Sequence, residues 1–153
     1  MIQTIINEPL VLTSNTSPLV YDETNVRTRC AYCCNGGWLD YQEGTPLFKV
    51  FGNGYTGYYE VNWGGTLSTG TAGVVAIGLY EDGILIPDSV RAVTLTADGY
   101  ASVSLNEKIR VCPRGTTTLT VASVPSVPST DPTTPVVTQI PTVISGTFSI
   151  KRI

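Results

Sequence analysis

Residues 57 to 63, Gly-Tyr-Tyr-Glu-Val-Asn-Trp, constrain this chain more than any other stretch. Strict alternation puts Tyr59, Val61 and Trp63 on one side of an extended backbone and Tyr58, Glu60 and Asn62 on the other. Two large aromatics around a β-branched residue suit one half-buried strand and no helix. Nowhere in the 153 residues does an apolar stripe at helical spacing persist for three turns. The expected class is all-β, a two-sheet antiparallel sandwich without significant helix, in one domain.

Composition agrees. Charged residues make up 14% of the chain, against about 25% in average proteins, and Thr, Ser, Gly and Val fill the difference. A formal net charge of −3 offers no diffuse positive field, so nucleic acid is not an expected partner. The apolar run 73–80 is too short to span a bilayer, and no membrane insertion is expected. Met1-Ile-Gln-Thr-Ile-Ile-Asn-Glu8 lacks a basic n-region, which predicts synthesis in the cytoplasm.

Along the chain, residues 1–17 form an N-terminal segment whose Ile2, Ile5, Ile6, Leu10 and Leu12 either pack as an edge strand or anchor the protein to a neighbour. Residues 18–153 form the sandwich. Its expected core is Tyr59, Val61, Trp63, Val75, Ile77, Leu79, Val93, Leu95, Val103, Phe148 and Ile150. Gly64-Gly65 reads as a turn, Asn106-Glu107-Lys108 as a break between strands, and Asp82-Gly83 and Asp98-Gly99 as hairpin turns. The run 71–80 is apolar on both faces and therefore covered on both. Residues 123–141 hold five of the ten prolines (Pro125, Pro128, Pro132, Pro135 and Pro141), which predicts either a surface loop or an extended, projecting arm.

Three cysteines fall within five residues. Cys30-x-x-Cys33 has zinc-ligand spacing, and Cys34 and Cys112 could complete a four-sulfur site, but a second close pair is missing. Small buried thiols capping the core fit better, with a disulfide to Cys112 as an alternative. No metal or cofactor is expected.

The chain contains no histidine, which removes the commonest general base and every Ser-His or Cys-His arrangement. Asp40 with Glu43, or Glu81 with Asp82, could pair as carboxylates, yet all four lie in turns where solvated carboxylates belong. No enzyme activity and no catalytic residue is expected. Tyr41, Tyr55, Tyr58 and Tyr100 are candidate stacking platforms for a glycan or receptor.

In order, Asn25-Val-Arg-Thr-Arg-Cys30, the Cys- and Gly-rich turn, Gly57-x-Tyr59-x-Val61-x-Trp63, Val75-x-Ile-x-Leu-Tyr-x-Asp-Gly83 and Phe148-x-Ile150-x-Arg152-Ile153 follow one another. This pattern resembles the small jelly-roll proteins of tumour-necrosis-factor and complement-head type carried on virions of tailed bacteriophages. The resemblance implies a ten-strand jelly roll assembling as a homotrimer, with Tyr58, Glu60 and Asn62 at the subunit interface. It implies a structural role at the virion surface, as a capsid decoration or head-fibre subunit partnered by other virion proteins. The alternative is a receptor- or glycan-binding attachment domain of a phage fibre or bacterial surface protein.

Overall fold

The computed structural model describes residues 1–27, 39–42, 44–52, 57–129 and 134–153. In chain order the strands are β1 (Ile2–Ile6), β2 (Leu10–Val11), β3 (Glu23–Arg27), β4 (Leu39–Tyr41), β5 (Phe48–Phe51), β6 (Gly57–Ser68) and β7 (Gly73–Glu81). They continue as β8 (Ile84–Leu85), β9 (Arg91–Leu95), β10 (Tyr100–Val111), β11 (Thr116–Ser123), β12 (Ser126–Val127), β13 (Val136–Val137) and β14 (Thr142–Arg152). One 3-10 turn, Pro87–Ser89, is the only helical element among the described residues.

The first sheet has the order β10-β6-β14-β1-β3, with β2 pairing with β14; the second has the order β4-β5-β11-β7-β8, with β9 on β7. The chain crosses between sheets from β5 to β6 to β7, and from β9 to β10 to β11, while β1 and β14 lie side by side. This is an antiparallel jelly roll. It has twelve strands in the two sheets against the ten the resemblance implies, and the two-residue β2 and β8 make the difference.

Between the sheets, Trp63, Tyr59, Tyr21, Phe48 and Phe148 are the largest fully buried side chains. Phe48 of the second sheet stacks on Phe148 of the first with ring centroids 4.1 Å apart, and Tyr41 stacks on Phe48 at 4.2 Å. Tyr21 meets both phenylalanines at 5.8 Å. Val61, Val75, Ile77, Leu79, Leu95 and Ile150 are buried around this stack, whereas Val93, in the middle of β9, and Val103, near the start of β10, are half-buried.

Several local expectations are corrected. Gly64 and Gly65 do not turn; they lie inside the twelve-residue β6, where Gly65 and Gly146 leave room for the Trp63 indole. Asn106-Glu107-Lys108 does not break a strand either, because each residue pairs with β6 and β10 runs through it unbroken. β1 is not an edge, being zipped between β14 and β3, whereas β2 pairs with β14 alone; Ile5 and Leu10 are half-buried, and Ile2, Ile6 and Leu12 are buried in this chain's own core. Their apolar surface is already committed, so they are not free to anchor a neighbour.

The proline-rich excursion folds back instead of projecting at its two ends. Val124 N–H donates to Ala76 O at 2.9 Å and Gln139 N–H to Val74 O at 2.7 Å, tying both limbs to β7. Val124 and Val127 form a satellite cluster with Ala76, packed on by Leu85 and Val90. That cluster covers the outer side of β7, which explains a run apolar on both faces. Pro125, Pro128 and Pro135 are exposed and Pro141 is buried; Pro132 lies outside the described residues.

Burial has a consequence at high pH. Desolvation raises the Tyr21 phenol well above its usual value; the Tyr41 phenol adds to this and the Trp63 N–H opposes it. Neither the Tyr21 hydroxyl nor Trp63 Nε1 completes a hydrogen bond. A folded-state value above the unfolded one, about 10, means stability is fully present below that pH and is lost as pH rises above it. The unfolding midpoint is therefore expected to fall steeply above roughly pH 10. Tyr21→Phe should flatten that fall while keeping stability at neutral pH, and an unchanged alkaline profile in the variant would exclude Tyr21 as its source.

Candidate functional site

Alternation along β6, β10 and β14 turns a second set of side chains away from the core. Arg110 stands opposite Tyr58, Lys108 opposite Glu60, Asn106 opposite Asn62, Ser104 opposite Gly64, Ser102 opposite Thr66 and Tyr100 opposite Ser68. On the other flank of β6, Lys151, Ser149 and Thr147 of β14 stand opposite Glu60, Asn62 and Gly64. The outer face of these strands is thus polar throughout, with charged side chains near Tyr58 and small hydroxyl and amide side chains over the rest. Tyr58, 52% exposed, and Tyr100, 68% exposed, mark its two ends.

The residues expected at an interface sit here. Glu60 Oε2 is 2.6 Å from Lys151 Nζ, and Asn106 Nδ2 donates to Glu60 Oε1 at 3.2 Å and to Asn62 Oδ1. These bonds, the lysine's first, hold the Glu60 carboxyl below the usual range, and the charges of Lys151 and Lys108 add to them. Next to this polar group, Gly64 gives the face a step: a Cβ built on it would meet only Ser104 Cβ, at 4.0 Å. Gly64, Gly65, Thr66, Ser102, Val103 and Ser104 line a shallow depression of about 330 Å³.

Other sequence candidates go elsewhere. Tyr41 is buried in the aromatic stack and is no platform. Tyr55, Glu43, Cys30, Cys33 and Cys34 lie outside the described residues. Cys112 is exposed, not a buried cap, because it opens the turn closed by Gly115 N–H donating to Cys112 O at 2.9 Å. Asp82 is a turn residue at φ 51°, its carboxylate accepting from Thr118 N–H at 2.8 Å and from Thr118 Oγ1 at 3.2 Å. Partial burial, then the neighbouring Asp82 charge, raises the Glu81 carboxyl. The two carboxylates flank a hairpin on the second sheet, away from the face carrying the tyrosines.

Residues missed in the sequence are Asn106, Lys108 and Arg110. Their spacing of two was the signal that one strand carried all three on one face, and reading 106–108 as a break concealed it.

No protein-family model and no curated protein matches the chain. Among solved structures, the globular domain of zebrafish complement 1qA protein is similar at a TM-score of 0.52 and 12% identity, over 98% of this chain and 94% of that one. A family 35 carbohydrate-binding module from Clostridium thermocellum aligns over 97% of this chain and 95% of its own at a TM-score of 0.34 and 9% identity. The first likeness supports the fold; the second is too distant to add to it.

Proposed function

We propose that this protein is a non-enzymatic recognition module that presents the outer face of its β10-β6-β14 sheet to a surface glycan or receptor. The reading is carried by Tyr58 and Tyr100, two half-to-mostly exposed aromatics at the ends of a sheet face otherwise built of polar and charged groups. Aromatic side chains are costly to leave in water, and a flat ring with a polar rim suits both sugars and protein partners. A phage fibre or other surface assembly is the setting that the sequence resemblance suggests. The likeness to the complement 1qA globular domain is compatible with recognition, and the weight rests on the face itself.

Screening the purified protein on a glycan array tests this. Binding to at least one glycan class is expected, weakened by about tenfold or more in Tyr58→Ala and Tyr100→Ala, each of which removes one ring's stacking energy. Both positions are exposed, so melting temperatures should stay near that of the parent. Array binding that is indifferent to both substitutions would move the site off this face.

A second reading, a homotrimeric decoration or head-fibre subunit of a virion, draws on one feature: among the described residues, β10 pairs only with β6, leaving a twelve-residue edge open. Light scattering on a sizing column at micromolar concentration should then give a trimer mass. A clean monomer would remove this reading and leave the first intact.

A further inference from the structure

The end of the outer face where β6 begins carries a concentration of charge that the overall balance hides. Of nine Lys and Arg residues, Lys108, Arg110 and Lys151 gather here, while Arg152, in register with the buried Tyr59, belongs to the opposite side of the sheet. Lys108 and Lys151 flank Glu60 from either side, and Arg110 flanks Tyr58. With strands ~4.8 Å apart and alternate residues ~6.8 Å apart, these groups share a patch on the order of 10 Å by 7 Å. Glu60 is its one side-chain carboxylate, and both oxygens are occupied, one by Lys151 and one by Asn106. Glu107 lies on the opposite side of β10, paired in register with the buried Val61. Among the described residues, Lys108 and Arg110 have no ion-pair partner.

Three cationic side chains face outward against one side-chain carboxylate already bound, around a half-exposed phenol ring. An arginine fork matches a carboxylate or phosphate in a bidentate manner, and lysine supplies a point charge beside it. Tyr58 offers a flat face for a ring, and the Asn62–Asn106 pair offers amide groups to hydroxyls. A nucleic acid would need a run of stacking aromatics along a basic track, whereas one ring stands here in a chain of net charge −3. A second copy of this chain is the weaker fit: Asp22, an acid on the far corner of the same sheet, has one oxygen accepting from both Asn7 N–H and Glu8 N–H.

We infer that this corner of the sheet binds an acidic saccharide, with Arg110 and Lys108 on its carboxylate or phosphate and Tyr58 under its ring. The inference rests on the recognition reading above and narrows its ligand. Native gels of the full chain, cast with polygalacturonate, a polyglycerol-phosphate teichoic acid, dextran, poly-L-glutamate or poly(dT), test it. Retardation should be strongest with polygalacturonate or the teichoic acid, the two separating carboxylate from phosphate, and should weaken with salt. The affinity should drop by at least ~10-fold in Lys108→Gln/Arg110→Gln and also in Tyr58→Ala. Circular dichroism of these surface variants verifies their folding. Retardation by dextran alone overturns the acidic ligand and leaves the recognition module standing. Equal retardation by poly-L-glutamate or poly(dT) overturns the sugar in favour of charge alone. An unmoved double variant, or no retardation by either acidic polymer, overturns the site.

Discussion

Trp63→Ala is expected to lower the unfolding free energy by about 3–5 kcal/mol, the usual cost of truncating a fully buried large aromatic. The indole is 1% exposed and sits between the sheets in the middle of β6, where Phe148 and Leu105 are its register partners on either side. Its ring reaches along the sheet to Gly65 and Gly146: a Cβ on Gly65 would lie 2.6 Å from Cη2, and one on Gly146 3.1 Å from Cζ2. Truncation would leave a void framed by two residues without side chains, so little can relax into it. Native domains are stable by only about 5–15 kcal/mol, and the loss could consume much of that. Urea unfolding measures it directly. A change below about 1 kcal/mol would mean that the inward face of β6 has been assigned to the wrong side.

The neighbouring glycines should respond in opposite directions to one methyl group. A Cβ at Gly65 would lie 2.4 Å from the backbone oxygen of Ser145 and 2.8 Å from Trp63 Cζ2, contacts that neither backbone nor packed indole can escape cheaply. Overpacking of this kind costs roughly 1–3 kcal/mol. At Gly64 the same methyl would point outward and meet only Ser104 Cβ at 4.0 Å. There alanine should help, because glycine in a strand interior is worse by roughly 0.5–1 kcal/mol. Parallel urea titrations of Gly65→Ala and Gly64→Ala therefore read the register of β6 residue by residue. If both variants lost stability alike, or Gly64→Ala lost more, the strand would be shifted by one and every side chain would exchange faces.

The tyrosines show how far the sequence could reach. Period-2 alternation separated Tyr59 from Tyr58 correctly, since the two faces of one strand differ in nothing but parity. Tyr41 and Tyr100 were indistinguishable by the same means. Each is an aromatic next to turn chemistry, and only the stacking of Tyr41 on Phe48 tells the buried ring from the 68% exposed one. Gly64-Gly65 failed for a related reason. Paired glycines usually mark reversals, but here one makes room for the Trp63 indole and the backbone oxygen of Ser145 and the other opens the outer surface, both of which are properties of packing partners.

Alternating apolar and polar residues without helical periodicity were enough to determine an all-β sandwich, the inward set Tyr59, Val61, Trp63, Phe148 and Ile150, and the covered state of the run at 73–80. These follow from local rules, because strand parity and burial are written in spacings of two. What covers that run, Val124 and Val127 returning from a proline-rich excursion, was decided by tertiary structure. So was the gathering of Lys108, Arg110 and Lys151 around Tyr58, since residues about 40 to 90 positions apart become neighbours ~5 Å away only when the long strands pair. A net charge of −3 describes the chain, but strand order places its charges, and the proposed binding corner exists only at that level.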